Sequence, residues 1–220
     1  MKKVTLFGGS GTMGFETFKV LWNRRSDCRL TLLLRPSARN VKMFKPYLDK
    51  DHSLKIIWGD AAIYSDVKEA VAGSDYVLDT MAMISPQADY YPDKARSVNV
   101  DGIANIVRAI GEEPDGKDRI KLAYTGTVAE TGDRLPPIQW GRTGDPLKPS
   151  IFDYYAVTKI AGERLVLESD IRHWVSLRMT FIMPMTFRAL AALSDPIMFH
   201  MPLNSCMENI SSRDAGLGMA

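Results

Sequence analysis

Short apolar runs rich in Leu, Val and Ile recur along the chain, and between them lie longer stretches in which apolar positions return every three or four residues. The short runs suit buried strands and the longer stretches amphipathic helices. This pattern predicts strands over Lys3–Phe7, Arg29–Leu34, Leu54–Trp58, Tyr76–Asp79, Ile120–Tyr124 and Trp174–Leu177, with helices filling most of the intervals. Strands alternating with helices build parallel βαβ units, because a parallel neighbour is reached only by a crossover. The expected fold class is therefore α/β, a doubly wound parallel sheet with helices on both faces. The interval Gly132–Pro149 resists both patterns: it holds Pro136, Pro137, Pro146 and Pro149 together with Gly132, Gly141 and Gly144. A loop of that length inside a compact unit reads as functional. Residues 179–220 lack a clean period and hold seven of the twelve methionines, which read as gap-filling core.

Composition narrows the partners. The 220 residues are 45% hydrophobic and 25% charged, enough for one compact unit with a substantial core. Basic and acidic residues number 28 and 26, with no block of like charge, so no nucleic-acid partner is expected and a small-molecule substrate is. Cys28 and Cys206 lie far apart, and His52, His173 and His200 are scattered without ligand spacing, so reduced thiols and no metal are expected. The apolar segment after Met1-Lys2-Lys3 stops at Gly8, too short for a signal-peptide core or a bilayer span, and the reading is a cytoplasmic protein with no membrane partner.

The turn after the first strand reads Gly8-Gly9-Ser10-Gly11-Thr12-Met13-Gly14 and opens a helix. A tight strand-to-helix turn needs left-handed backbone angles, and a pyrophosphate can come close only where Cβ is absent. The helix N-terminus adds free N–H groups and a positive dipole end. Gly8, Gly11, Thr12, Met13 and Gly14 are thus candidate binders of a dinucleotide, and the architecture becomes Rossmann-type. At the end of the second strand an acidic residue would accept from ribose hydroxyls, but Arg35 stands there, followed by Ser37, Arg39 and Lys42. That cluster suits the 2′-phosphate of NADP, with NAD as the alternative. Asp60, with Ala61 beside it after the third strand, is placed to meet the adenine amino group.

The helix opening at Asp153-Tyr154-Tyr155-Ala156-Val157-Thr158-Lys159 sets Tyr155 and Lys159 at i and i+4 on one face. A phenol is a poor base near neutrality, and an adjacent ammonium is expected to lower its pKa so that it can exchange a proton with an alcohol or carbonyl oxygen. The end of the fifth strand brings Thr125, Gly126 and Thr127 to the same crevice, where one hydroxyl can hold the substrate oxygen.

With these motifs in order, the chain resembles the extended short-chain dehydrogenase/reductases, the NAD(P)-dependent epimerase/dehydratase group. The resemblance runs over about residues 3–184: Gly8-x-x-Gly11-x-x-Gly14, Gly59-Asp60, Asp75 through Ala82, Asn99-Val100-Asp101-Gly102, Tyr124 to Gly132, Tyr155-x-x-x-Lys159, and Leu177-Arg178 on to Pro184. It implies that Thr80, Met81 and Ala82 border the cofactor, that Asn99 supports the catalytic helix, and that Lys159 reaches the nicotinamide ribose. It also selects Thr127 over Thr125 as the hydroxyl partner of Tyr155. Val128 and Ala129 stand where the family's dehydratases carry an Asp-Glu pair, which disfavours elimination and leaves carbonyl reduction, alcohol oxidation or epimerisation. The resemblance implies an NADP-dependent oxidoreductase or epimerase acting on an alcohol or carbonyl, with a nucleotide-sugar among the candidate substrates. It divides the chain into a Rossmann domain over residues 1–180 and an incomplete or reduced C-terminal substrate region over 181–220, and it leaves a homodimer open. Two other readings stand beside it: a non-catalytic dinucleotide-binding regulatory protein, which has no need for the Tyr-Lys pair, and a scaffold that docks a partner through Met179–Phe187.

Overall fold

A computed structural model of the chain describes residues 1–132, 141–150, 152–180, 182–183 and 210–211. In chain order the elements are β1 (Lys2–Phe7), α1 (Thr12–Asn23), β2 (Cys28–Leu34), α2 (Ala38–Leu48), β3 (Lys55–Trp58), α3 (Tyr64–Val71) and β4 (Tyr76–Asp79). There follow α4 (Gln87–Tyr90), α5 (Pro92–Arg96), a π-helical segment (Ser97–Asp101), α6 (Gly102–Glu112), α7 (Gly116–Arg119) and β5 (Lys121–Thr127). A 3₁₀ turn (Val128–Thr131), α8 (Tyr154–Leu167), β6 (His173–Met179), β7 (Ile182–Met183) and β8 (Ile210–Ser211) complete them.

The first six strands form one parallel sheet in the order β3-β2-β1-β4-β5-β6, with β7 and β8 paired separately. The order reverses direction at β1, so the crevice between the carboxyl ends of β1 and β4 is the switch point at which doubly wound sheets place ligands. Alternation along the strands sorts side chains to two cores. Val4, Leu6, Leu30, Leu32 and Leu34 meet the aromatic layer of α1 and α2, which includes Phe18, Trp22 and Phe44. Phe7, Leu33, Ile57 and Val77 face the other way, onto α3, α6 and α8 through Val67, Ile103, Ile106 and Val166.

All six expected strands are present, and β5 and β6 run two or three residues further at their carboxyl ends than the apolar pattern indicated. β5 continues through Thr125 and Gly126 to Thr127, paired with β6 as far as Met179. Hydroxyls and a glycine end the hydrophobic signal, but the parallel ladder with β6 carries the strand on whatever its side chains. The expected loop is described at 141–150, which is irregular, and residues 133–140 lie outside the described residues, as does most of the region 181–220 with Cys206. No helix among the described residues is long and apolar enough to cross a membrane.

Candidate active site

The glycine turn leaves β1 at Gly8, whose φ of +78° belongs to the left-handed region. A Cβ at Gly8 would lie 2.8 Å from the Met81 nitrogen, and one at Gly14 would lie 2.2 Å from the Gly8 carbonyl oxygen and 2.6 Å from Thr80 Oγ1. Gly14 therefore lets α1 press against the β1–β4 crevice. Gly11, with φ of −76°, serves as N-cap of α1 without a side-chain cap. The Met13 side chain is 8% exposed and belongs to the core, so it can offer a ligand only its backbone N–H, whereas Thr12 is exposed. Thr80 donates to the Phe7 carbonyl at 2.7 Å and locks the ends of β1 and β4 together. Met81 and Ala82 follow on the rim, half-buried and exposed.

Around the outer strands the picture is mixed. Arg35 is exposed just past β2, and its carbonyl accepts from Asn40 Nδ2 at 2.8 Å, while Ser37 caps α2 by accepting from the Asn40 N–H at 3.1 Å. Asp60 behaves first as a turn residue, its Oδ1 accepting from the Ala62 N–H at 3.0 Å. Ala61 beside it is buried, and its carbonyl accepts from Asn105.

Asn99 sits in the π-helical segment and is 2% exposed. Its Oδ1 accepts from the Met83 N–H at 2.7 Å, and its Nδ2 donates to the Met83 carbonyl at 3.0 Å and to Thr158 Oγ1 at 2.9 Å. Thr158 in turn donates to the Tyr155 carbonyl at 2.8 Å. One amide thus ties the segment after β4 to the first turn of α8. Asp153 caps that helix, accepting from the Ala156 N–H at 2.9 Å, and burial raises its carboxyl to about 6.

Tyr155 and Thr127 are hydrogen-bonded through their side chains. Thr125 is committed elsewhere, its hydroxyl donating to the Asp79 carbonyl at 2.8 Å. The phenol of Tyr155 stands well above its ordinary pKa. Burial pushes it up, the Thr127 hydrogen bond pulls it down less strongly, and the charges of Glu130 and Asp153 add to the rise. This differs from the expected lowering by Lys159. The Lys159 side chain turns beneath the sheet end, with Nζ 4.0 Å from the centre of the Tyr124 ring. It is 1% exposed, and burial lowers its pKa against the opposing pull of Asp79, Glu130 and Glu163.

Those acids were not among the residues picked out from the sequence. Asp79, at the end of β4, is raised to about 6 by burial, with Lys159 opposing. Glu163 is gripped by Arg178 through contacts of 3.0, 3.2 and 3.3 Å. Glu130 is fully buried, with Oε2 3.4 Å from Arg178 Nε. One local signal was available: Thr127-x-x-Glu130 is a capping-box spacing, and both of its hydrogen bonds form. Among the described residues no group of His, Cys, Asp and Glu is arranged to hold a metal ion.

The description of the 3-beta hydroxysteroid dehydrogenase/isomerase family matches residues 6–180, four-fifths of the chain. The chain belongs to this family. It thereby joins the extended short-chain dehydrogenase/reductases, in agreement with the order of its motifs. A 3-beta-hydroxysteroid dehydrogenase of Mycolicibacterium neoaurum is 27% identical over 173 residues, covering 75% of this chain and 42% of that protein. The 3 beta-hydroxysteroid dehydrogenase type 7 of Rattus norvegicus is 26% identical over 154 residues, 66% of this chain and 44% of that protein. The chain thus spans less than half the length of these curated relatives. In fold it is similar to the Bordetella bronchiseptica enzyme WbmH solved with NAD+, at a TM-score of 0.66 and 21% identity, over 84% of this chain and 57% of that one.

Proposed function

We propose that this member of the 3-beta hydroxysteroid dehydrogenase/isomerase family is an oxidoreductase that interconverts a secondary alcohol and a ketone, with a 3β-hydroxysteroid as the substrate class and NADP ahead of NAD as cofactor. The observation that carries the reading is the meeting of the Thr127 and Tyr155 side chains at the carboxyl end of the sheet, the end at which the glycine turn also leaves β1. The substrate class comes from the family and the two hydroxysteroid dehydrogenases above. The nucleotide-sugar alternative has only fold likeness behind it.

The cradle fits a dinucleotide: Gly8 and Gly14 leave the space that a Cβ would fill, and α1 opens directly beneath it. Gly8, Gly11, Thr12, Met13 and Gly14 would hold the pyrophosphate, Arg35 the 2′-phosphate, Asp60 and Ala61 the adenine end, and Thr80, Met81, Ala82 and Asn99 the border toward the nicotinamide. When bound, the nicotinamide supplies or receives the hydride. Tyr155 is half-buried and its desolvated phenol holds its proton at neutral pH, so it is poised to donate to a carbonyl oxygen. The reverse reaction returns the proton to the same phenol oxygen. Thr127 would orient that oxygen, and Lys159 would reach the nicotinamide ribose.

The test is turnover of a 3β-hydroxysteroid with NADP+ and with NAD+, followed by the absorbance of the reduced nicotinamide. Tyr155→Phe should lower kcat roughly 10²–10⁴-fold, the range for losing an acid–base group, with dinucleotide affinity nearly intact. Equal loss of both would remove Tyr155 from its role. Arg35→Asp should move preference from NADP toward NAD, and an unmoved preference would place the 2′-phosphate elsewhere. Dinucleotide binding without turnover of any alcohol or ketone would favour the regulatory reading instead.

A further inference from the structure

We propose that Glu130 is a positioning residue for the Thr127–Tyr155 pair, a buried carboxyl that clamps the end of β5 through Thr127 while sharing Arg178 with Glu163. The proposal rests on the reading of Tyr155 and Thr127 as the proton-transfer pair. Glu130 lies in the 3₁₀ turn that follows β5 and is 0% exposed. Its Oε1 accepts from the Thr127 N–H at 3.2 Å, and Thr127 Oγ1 accepts from the Ala129 N–H at 3.3 Å, which together fix the backbone and the rotamer from which the hydroxyl meets Tyr155. The Glu130 backbone is itself pinned, its carbonyl accepting from the Lys148 N–H at 2.8 Å.

The other carboxyl oxygen is what gives the residue its chemistry. Oε2 makes no hydrogen bond of good geometry to Arg178, whose Nε stands 3.4 Å away and is already engaged by Glu163. The guanidinium is further occupied by the Asp145 carbonyl at 3.0 Å. Two buried carboxyls share the Arg178 guanidinium, at 3.2 and 3.4 Å from its Nε, and burial favours a proton on one of them. Glu163 is held in its ionised form because hydrogen bonds from Glu130 and Arg178 outweigh its own burial. Glu130 is the acid that keeps the proton, pushed up to about 9 by burial and by the hydrogen bond and charge of Glu163. Lys159 and Arg178 pull the other way and lose, and the uncharged phenols of Tyr124 and Tyr155 face the same carboxyl. The space around it is already full: a Cβ at Gly126 would come within 3.1 Å of Oε2.

Below pH about 9 the neutral carboxyl accepts from Thr127 and sets no second charge beside Glu163. Above it, two carboxylates confront each other across one guanidinium, the clamp loosens, and the new charge makes Tyr155 hold its proton more tightly. Glu130→Gln is the decisive variant, since an amide reproduces the hydrogen bonds of the protonated acid but does not titrate. Glu130→Val removes them.

Two measurements on the full chain separate the outcomes. In thermal unfolding, a folded-state pKa raised from 4.5 to about 9 means that the stability Glu130 confers is complete below 4.5 and lost as pH rises through about 9. Wild type should lose Tm over that window relative to Glu130→Gln, and coincident curves would overturn the proposal. In turnover of a 3β-hydroxysteroid, kcat of Glu130→Gln should stay near wild type at neutral pH, with the alkaline fall displaced upward. Glu130→Val should lose kcat roughly 10²-fold at unchanged KM, the scale of a 1 Å misplacement. A Glu130→Val chain that folds and keeps its kcat would also overturn it. If no substrate turns over with any chain, the proposed function fails, and with it the positioning role, while the unfolding curves still decide whether Glu130 carries the proton.

Discussion

The turn from β1 into α1 and the corner where β5, β6 and α8 meet both lie at the carboxyl end of the sheet, but they are built from different materials. The turn is shaped by missing atoms: a left-handed Gly8, a Gly14 with no room for a Cβ, and a helix N-terminus beneath them. The corner is shaped by buried charge, with Glu130 and Glu163 at 0% and 2% exposure beside Arg178 and Lys159 at 1%. A backbone cradle tolerates almost no added volume, whereas a charged corner tolerates no loss of a partner. Damage to the first should therefore appear mainly in binding, and damage to the second mainly in folding.

The largest stability effect should come from Arg178→Met, which leaves Glu163 without its cation and Glu130 with a bare carboxylate neighbour. Breaking a buried pair on one side costs about 3–5 kcal/mol, and urea unfolding should show a loss near the lower end because Arg178 is 21% exposed. A loss below about 1 kcal/mol, the worth of a surface pair, would mean that the corner is wetter than its geometry indicates. Gly14→Ala should destabilise less, about 1–3 kcal/mol for overpacking, yet abolish detectable dinucleotide binding in a fluorescence titration. Retained affinity there would break the contrast between the two regions. The smallest effect belongs to Asp153→Asn, which keeps the cap of α8 and removes a titration. The folded carboxyl is raised from 3.8 to about 6, so its stabilising contribution is whole below 3.8 and fades as pH rises through about 6. Tm of wild type should fall across that window relative to the variant, and parallel curves would show that Asp153 titrates normally.

The two regions also differ in how far they could be read in advance. Gly8, Gly11 and Gly14 stand within seven residues of one another, and the strand before and the helix after supply their whole context, so motif and structure coincide. Tyr155 and Lys159 were found in the same way, as neighbours on one helix. The direction of the Tyr155 shift was not, because it depends on how deeply the phenol is buried and on Glu130 and Asp153 beside it. Asp79, Glu163 and Arg178 carry no motif as a group: they arrive from β4, α8 and β6, and Glu163 and Arg178 are fifteen residues apart in the chain yet 3.0 Å apart in space. Glu130 had a faint local signature in its capping box with Thr127, but that spacing marks a turn and says nothing of the burial that makes the acid hold its proton.

By itself the sequence determined the strand and helix order, the glycine turn and the face shared by Tyr155 and Lys159, since each depends on interactions between residues close along the chain. The tertiary structure alone decided where Lys159 points, which way the Tyr155 phenol shifts, and which of the buried acids keeps its proton. These depend on desolvation and on charges brought together from distant segments, and neither exists until the sheet and its covering helices have closed around them.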